Sequence, residues 1–190
     1  MPKSVRIALK IAAGLLDYPG RPEFWARLAD REPLACAVSP ELAAVMQSFR
    51  QRGCLELAQL YVAAFDFDPK ASLYITAHEL GDSRDRGAAL INLANLYRRA
   101  GYEVPGQQLA DFLPMLLELA AVAPDAVEPP MLERLAQACG RIVEHLGPEH
   151  AYQPLLAIVW GLLGGAAAPP DSQAGAMPDL VGLPYPIDYP

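Results

Sequence analysis

Apolar residues recur at helical spacing along most of this chain, and no segment alternates apolar and polar residues over a sustained stretch. Residues 42–49 follow an i, i+3, i+4, i+7 pattern, with Ser39 and Pro40 at the N-cap and first helical positions. A second stripe occupies 57–65. The pattern predicts an all-α fold.

The composition changes at Gly164, after which Gly, Ala and Pro dominate. A chain of 190 residues is long enough to bury one self-sufficient core. We therefore expect one helical domain over 1–163, a bundle of about eight or nine helices. Residues 164–190 are expected to form an extended or disordered tail. The stretch FLPMLLELAAVA, residues 112–123, is apolar all round and predicts the central helix.

Charge and cysteine content indicate which classes of binding partner and which cellular compartment fit the sequence. The formal net charge of −7 argues against nucleic acid, because phosphates attract clustered Lys and Arg, and it favours a basic partner. Three cysteines outside any CxxC pair are expected to be small buried hydrophobes in a reducing cytoplasm. Lys10 interrupts the N-terminal apolar run, which we interpret as a first helix; no stretch predicts stable membrane insertion.

A helix is expected between the second stripe and the stretch GDSRDRG, residues 81–87. Asp68 is placed to cap it and Pro69 to be its first residue. Gly81 is placed to end it, because glycine adopts the left-handed conformation without steric cost.

GDSRDRG itself is typical of a corner between two helices. Asp82 or Ser83 can cap the second helix, Asp85 complements its dipole in the first turn, and Gly87 permits close approach of a neighbour. Arg84 and Arg86 are not explained by this interpretation.

The two arginines have two candidate roles. They can pair with Asp66, Asp68 or Glu79 and so join two corners, or they can reach a partner.

Two aromatic pairs flank this region at i, i+4 spacing. Tyr61 and Phe65 are most simply core residues. Tyr74 and His78 are offset from the apolar stripe of their helix, and so are better candidates for the wall of a groove.

Sequence motifs for catalysis or cofactor binding are missing: there is no phosphate loop, GxSxG, HExxH or paired CxxC. We expect no catalytic residue, no metal site and no cofactor. Two alternatives stay open: a generic helical interaction scaffold, and a metal-dependent hydrolase using His78, Glu79, Asp82 and Asp66.

A resemblance to a known family adds information about the fold and the function. The strings YVAAFDF, SLYITAHELGDSRDRG and LYRRAG, with LLDYP and DFLPMLLELA, resemble the respiratory nitrate reductase assembly chaperones, the NarJ branch of the TorD-like redox-enzyme chaperones. The resemblance extends over about residues 8–165. One departure is that Asp111 is followed by Phe112 where the wider family often has Asp-His; Asp111 can still cap the following helix.

The resemblance implies a non-catalytic, cytoplasmic chaperone for one client, the apo molybdenum-containing catalytic subunit of a nitrate reductase. Such proteins bind the client's N-terminal, leader-like segment until molybdenum cofactor is inserted, before membrane docking; the insertion machinery is a further possible partner.

An amphipathic leader helix needs an apolar groove, which we place between the helices carrying Tyr61–Phe65 and Tyr74–His78. The residues expected to bind the client are Tyr61, Phe65, Asp66, Tyr74, His78, Asp82, Arg84, Asp85 and Arg86.

Overall fold

The computed structural model describes residues 1–106 and 108–165, and within them the protein is all-α, as predicted. The predicted tail therefore lies outside the described residues, except for Gly164 and Gly165. The described residues form eight α-helices: α1 (Lys3–Leu15), α2 (Pro22–Val38), α3 (Pro40–Tyr61), α4 (Ile75–Leu80), α5 (Asp85–Arg99), α6 (Leu113–Val122), α7 (Pro129–Leu146) and α8 (Gln153–Leu162). A π-helical turn, Val62–Asp66, follows α3, and a short 3-10 turn, Pro124–Ala126, precedes α7. None of the described helices is both long and apolar enough to cross a membrane.

Helix α6 is the central helix, as its composition predicts, with every residue from Leu113 to Ala121 buried. It packs chiefly on α1, which is buried without interruption from Ile7 to Leu15. Lys10 of α1 and Glu118 of α6 are both buried, with Nζ and Oε1 3.8 Å apart. Opposite charges placed together in this way offset part of the cost of desolvating each.

Residues Pro40–Tyr61, labelled α3, contain two helical segments, as the two sequence stripes suggested. Ser39 caps the first segment as predicted, because its hydroxyl accepts a hydrogen bond from the Leu42 amide at 3.2 Å. The two segments meet at Gly53, whose φ of +76° and ψ of 174° are not helical and place a kink between the stripes.

The helix predicted to begin at Pro69 begins instead at Ile75. Asp68 does not cap it; its carboxylate accepts the Lys70 amide at 3.0 Å within a turn. The extended backbone of residues 73–75 pairs with residues 111–113, in an isolated antiparallel bridge between Tyr74 and Phe112. These long-range hydrogen bonds satisfy the backbone that a longer helix would have used.

The cysteine prediction is correct for one residue of three. Cys139 is buried, and burial raises the pKa of its thiol to about 12. Cys36 and Cys54 are exposed, because each lies on the outward face of its helix.

Candidate functional site

The corner formed by GDSRDRG connects α4 to α5. Gly81 ends α4, as predicted, with φ +53° and ψ −130°. Ser83 Oγ accepts a hydrogen bond from the Asp85 amide at 3.2 Å, which fits the predicted capping by Ser83. The prediction for Gly87 is wrong: a methyl group added there would meet open space, so no neighbour requires a glycine.

Arg86 points into the domain, but toward none of the three carboxylates named from the sequence. Its Nε donates a hydrogen bond to Thr76 Oγ1 at 3.0 Å, and its Nη2 lies 3.5 Å from Asp111 Oδ2. The Arg86 side chain is 26% exposed, whereas Asp111 is fully buried. Arg86 is therefore an internal ion-pair partner, and Arg84 remains on the surface.

Asp111 links the start of the central helix to α4. Its Oδ2 accepts hydrogen bonds from the Thr76 amide, at 3.3 Å, and from the Thr76 hydroxyl. Thr76 is the second residue of α4, so Asp111 acts as an N-terminal cap supplied from 35 positions away. The expectation that Asp111 caps its own helix is wrong, since Phe112 occupies that position without a side-chain cap.

Of the three carboxylates named from the sequence as partners for the arginines, two form hydrogen bonds with other residues. Both oxygens of Glu79 accept hydrogen bonds from Arg134 of α7, and Asp68 Oδ2 lies 2.6 Å from His145 Nε2. The hydrogen bond from His145 is the main reason that the pKa of Asp68 is lowered. Asp66 is exposed, and its pKa is raised by partial desolvation.

Tyr74 and His78 are half-buried beside this cluster, where a groove wall was expected. The Tyr74 hydroxyl donates to Gln108 Oε1 at 3.1 Å, and His78 Nε2 donates to the Ser72 carbonyl at 2.6 Å. Burial, and then the negative charge of Asp111, raise the pKa of Tyr74.

Tyr61 and Phe65 are core residues, as their spacing predicts. Their rings are 5.0 Å apart, and both lie edge-on to Tyr152. Burial raises the pKa of Tyr61. The two rings therefore pack inside the domain and are not displayed on a groove.

An open groove lies between α5 and α7. Its volume is about 570 Å³, within the range of ligand-binding clefts. The residues lining it are Ala89, Asn92, Leu93, Leu96, Arg99, Ala126, Glu128, Pro130, Met131 and Arg134. Arg134 is at once a groove residue and the partner of Glu79, so α4 and the groove share an edge.

Several residues of this site are missing from the sequence-based prediction. Thr76 and Asp111 are 35 positions apart, and Glu79 and Arg134 are 55 apart. The one local signal was Asp111, a carboxylate directly before an apolar helix, and its helix was assigned incorrectly. The groove has no signal in the sequence because its two walls belong to α5 and α7, which are brought to the same surface through their separate contacts with α4.

The hydrolase alternative depends on His78, Glu79, Asp82 and Asp66 converging. In the structure His78 is bound to a carbonyl and Glu79 to an arginine. No cluster of three or more His, Cys, Asp or Glu side chains suited to a metal ion occurs within residues 1–106 and 108–165.

Comparison with known proteins then decides the family. The family model described as "Nitrate reductase delta subunit" matches residues 30–148, which is more than half of the chain and includes the corner and both walls of the groove. The chain belongs to the nitrate reductase delta subunit family. The resemblance found from the sequence motifs is confirmed.

Several curated proteins are similar to this member of the nitrate reductase delta subunit family over parts of their length. The probable nitrate reductase molybdenum cofactor assembly chaperone NarJ of Bacillus subtilis is 40% identical over 67 residues, 35% of this chain and 36% of that protein. The nitrate reductase molybdenum cofactor assembly chaperone NarJ of Escherichia coli K12 is 30% identical over 130 residues, 64% of this chain and 55% of that protein. The nitrate reductase-like protein NarX of Mycobacterium tuberculosis is 33% identical over 125 residues, 63% of this chain and 19% of that protein. The matched region thus spans at most about half the length of these relatives.

Proposed function

We propose that this chain is a cytoplasmic, client-specific chaperone that binds the N-terminal segment of the apo catalytic subunit of a nitrate reductase and holds it for molybdenum cofactor insertion, before membrane docking. The observation that carries the proposal is the family match over residues 30–148. Two of the relatives described above are named as molybdenum cofactor assembly chaperones, which supports a role in assembly and not in catalysis.

We place an amphipathic segment in the groove between α5 and α7 because its lining begins about one turn after the first residue of α5, next to GDSRDRG. Leu93, Leu96 and Met131 supply apolar contacts, and the polar groups of Asn92 and Glu128 lie among the lining residues. An amphipathic helix binds such a groove through its i, i+3, i+4 and i+7 side chains. The net charge of −7 favours long-range approach of a basic leader, whereas the groove lining itself carries two cations, Arg99 and Arg134, and one anion, Glu128. The proposed groove, between α5 and α7, differs from the one expected from the sequence, which lay between the helices carrying Tyr61–Phe65 and Tyr74–His78.

The residues named from the sequence take different parts in this proposal. The side chains of Asp82, Arg84 and Asp85 are exposed, and Asp85 begins α5 about one turn before Ala89, the first residue of α5 that lines the groove; these three side chains contact the client directly. Asp66 adds negative charge on the neighbouring surface, and Tyr74 and His78 contact the client where they are accessible. The remaining three, Tyr61, Phe65 and Arg86, support the site from within the domain.

Calorimetric titration with a synthetic peptide tests the proposal. The peptide contains about the first 20 residues of the partner reductase subunit, long enough for an amphipathic helix, and a scrambled version is the control. Saturable one-to-one binding with a negative heat-capacity change is expected, because apolar surface is buried. Equal binding of both peptides would favour the scaffold alternative, and no binding of either would contradict the proposal.

A further inference from the structure

The exposed corner is linked to the most rigid part of the domain through one carboxylate. Asp111 lies two residues before α6, whose residues from Leu113 to Ala121 are all buried. The backbone around it is fixed as well, since the Ile75 amide donates to the Asp111 carbonyl at 3.0 Å and the Leu113 amide donates to the Leu73 carbonyl at 2.7 Å. Asp111 therefore has little freedom to move independently of the central helix.

Thr76 connects Asp111 to Arg86. A hydroxyl has one proton, so when Thr76 Oγ1 donates to Asp111 Oδ2 it can accept the hydrogen bond from Arg86 Nε, at 3.0 Å. The Arg86 guanidinium also lies 3.5 Å from the same carboxylate oxygen. The three side chains thus form one polar network with a single arrangement of donors.

The corner itself has little else to fix its position. Residues 81–85 are all exposed, so they contribute little apolar burial. Segments of this kind open locally at low free-energy cost unless a specific interaction restrains them. Arg86 follows directly and supplies that interaction.

We propose that Asp111 is a positioning residue for client binding: through Thr76 and Arg86 it fixes the corner so that Arg84 and its exposed neighbours face the client at the end of the α5–α7 groove. This rests on the proposed function. The network also explains why a buried carboxylate is placed before the central helix although it does not cap that helix.

Asp111→Asn removes the negative charge of the side chain and keeps its shape. An amide oxygen can still accept the Thr76 hydrogen bonds, but the attraction to the Arg86 guanidinium is lost. We expect amide hydrogen exchange across residues 81–87 to become about tenfold faster, and the affinity for the leader peptide to fall about tenfold. Unchanged exchange in this segment would overturn the inference.

A double-mutant cycle distinguishes positioning from general stability. If Asp111 places Arg84 for the client, Arg84→Ala should weaken peptide binding in the wild-type protein but much less in the Asp111→Asn protein. Additive effects would overturn the positioning role. Val159→Ala, a buried change in α8, is the control: it should lower the melting temperature without altering peptide affinity.

Failure of the proposed function has a different signature. If the wild-type protein binds no peptide while Asp111→Asn still accelerates exchange across residues 81–87, Asp111 fixes the corner but the assignment of the client is wrong.

Discussion

Arg134 forms two hydrogen bonds with the Glu79 carboxylate: Nε donates to Oε1 at 3.0 Å and Nη2 donates to Oε2 at 2.7 Å. This paired geometry joins the short helix α4 to α7 at the edge of the groove. Both side chains are partly exposed, 35% for Arg134 and 23% for Glu79, so solvent and salt weaken the interaction.

Glu79→Gln should therefore cost little stability, about 1 kcal/mol or less by urea denaturation. The loss should shrink at about 1 M salt, where charges on the surface are screened. Glu56→Gln, which removes the exposed pair between Arg52 and Glu56 across the Gly53 kink, is a matched control with an expected cost of about 0.2–1 kcal/mol. A salt-independent loss for Glu79→Gln would show that the ion pair is not its cause.

Two glycines of the same motif should respond to alanine in opposite directions. Gly81 has φ +53° and ψ −130°, a conformation that side chains disfavour, so Gly81→Ala should destabilise the protein by about 1–3 kcal/mol. Gly87 is in α5 with open space around it, so Gly87→Ala should stabilise by about 0.5–1 kcal/mol. Thermal unfolding of both variants measures this, and a shift of the same sign would contradict it.

The Thr76 hydroxyl should matter more than the Thr76 methyl group. Thr76→Val keeps the shape but leaves Arg86 and the buried Asp111 without their shared partner, at a cost of about 1–3 kcal/mol. Thr76→Ser keeps the hydroxyl and should retain most of the stability. Denaturant titration of the two variants compares them, and equal losses would mean that packing, not the polar network, dominates at this position.

His150 should make stability fall on mild acidification. Burial, and then the charge of Arg52, lower its pKa from the ordinary value of 6.5, and its Nδ1 accepts the Tyr152 amide at 3.3 Å, which requires an unprotonated nitrogen. The unfolded chain therefore takes up a proton at higher pH than the folded protein does. Stability contributed by neutral His150 is present above about pH 6.5 and is lost as the pH falls toward the lower folded pKa.

Urea denaturation from about pH 7.5 to about pH 5.5 measures that dependence. His150→Gln should flatten the decline, since glutamine has no proton to gain in this range. An identical slope in the variant would assign the pH dependence to other groups.

A charge placed in the groove should block the client. Met131→Lys puts a cation among the apolar lining of the α5–α7 groove and should weaken leader-peptide binding by tenfold or more, about 1.4 kcal/mol. Ile158→Lys is the matched control, because Ile158 lines a second apolar groove of about 550 Å³ between α3 and α8. Calorimetry on both variants shows which groove binds the peptide. Loss of binding only in Ile158→Lys would assign peptide binding to the second groove.

Local sequence rules predicted those features that short stretches of chain determine. Ser39 and Pro40 start α3, Gly81 ends α4, and the all-round apolar stretch that contains Leu113–Val122 is the central helix. In each case the deciding interactions are a cap, a backbone conformation or a periodicity, all within a few residues.

The errors come from interactions between distant residues. Pro69 does not begin a helix because the nearby backbone pairs with residues 111–113. Arg86 pairs with Asp111 and not with the carboxylates nearer in sequence, because the fold brings the central helix beside α4. Spacing along the chain carries no information about such pairs, so the site's polar network and its groove could not be found from the sequence.

The pairing of α1 with α6 has a consequence for biosynthesis. Helix α1 leaves the ribosome before α6, yet the apolar surface that covers most of it is completed only when Val122 has been translated. Until then the nascent chain exposes α1 or covers it with α2 and α3, and a long loop must close before the core can form. Completion of the core therefore depends on contacts between α1 and α6, and a ribosome stalled before α6 would present an unfinished, aggregation-prone intermediate.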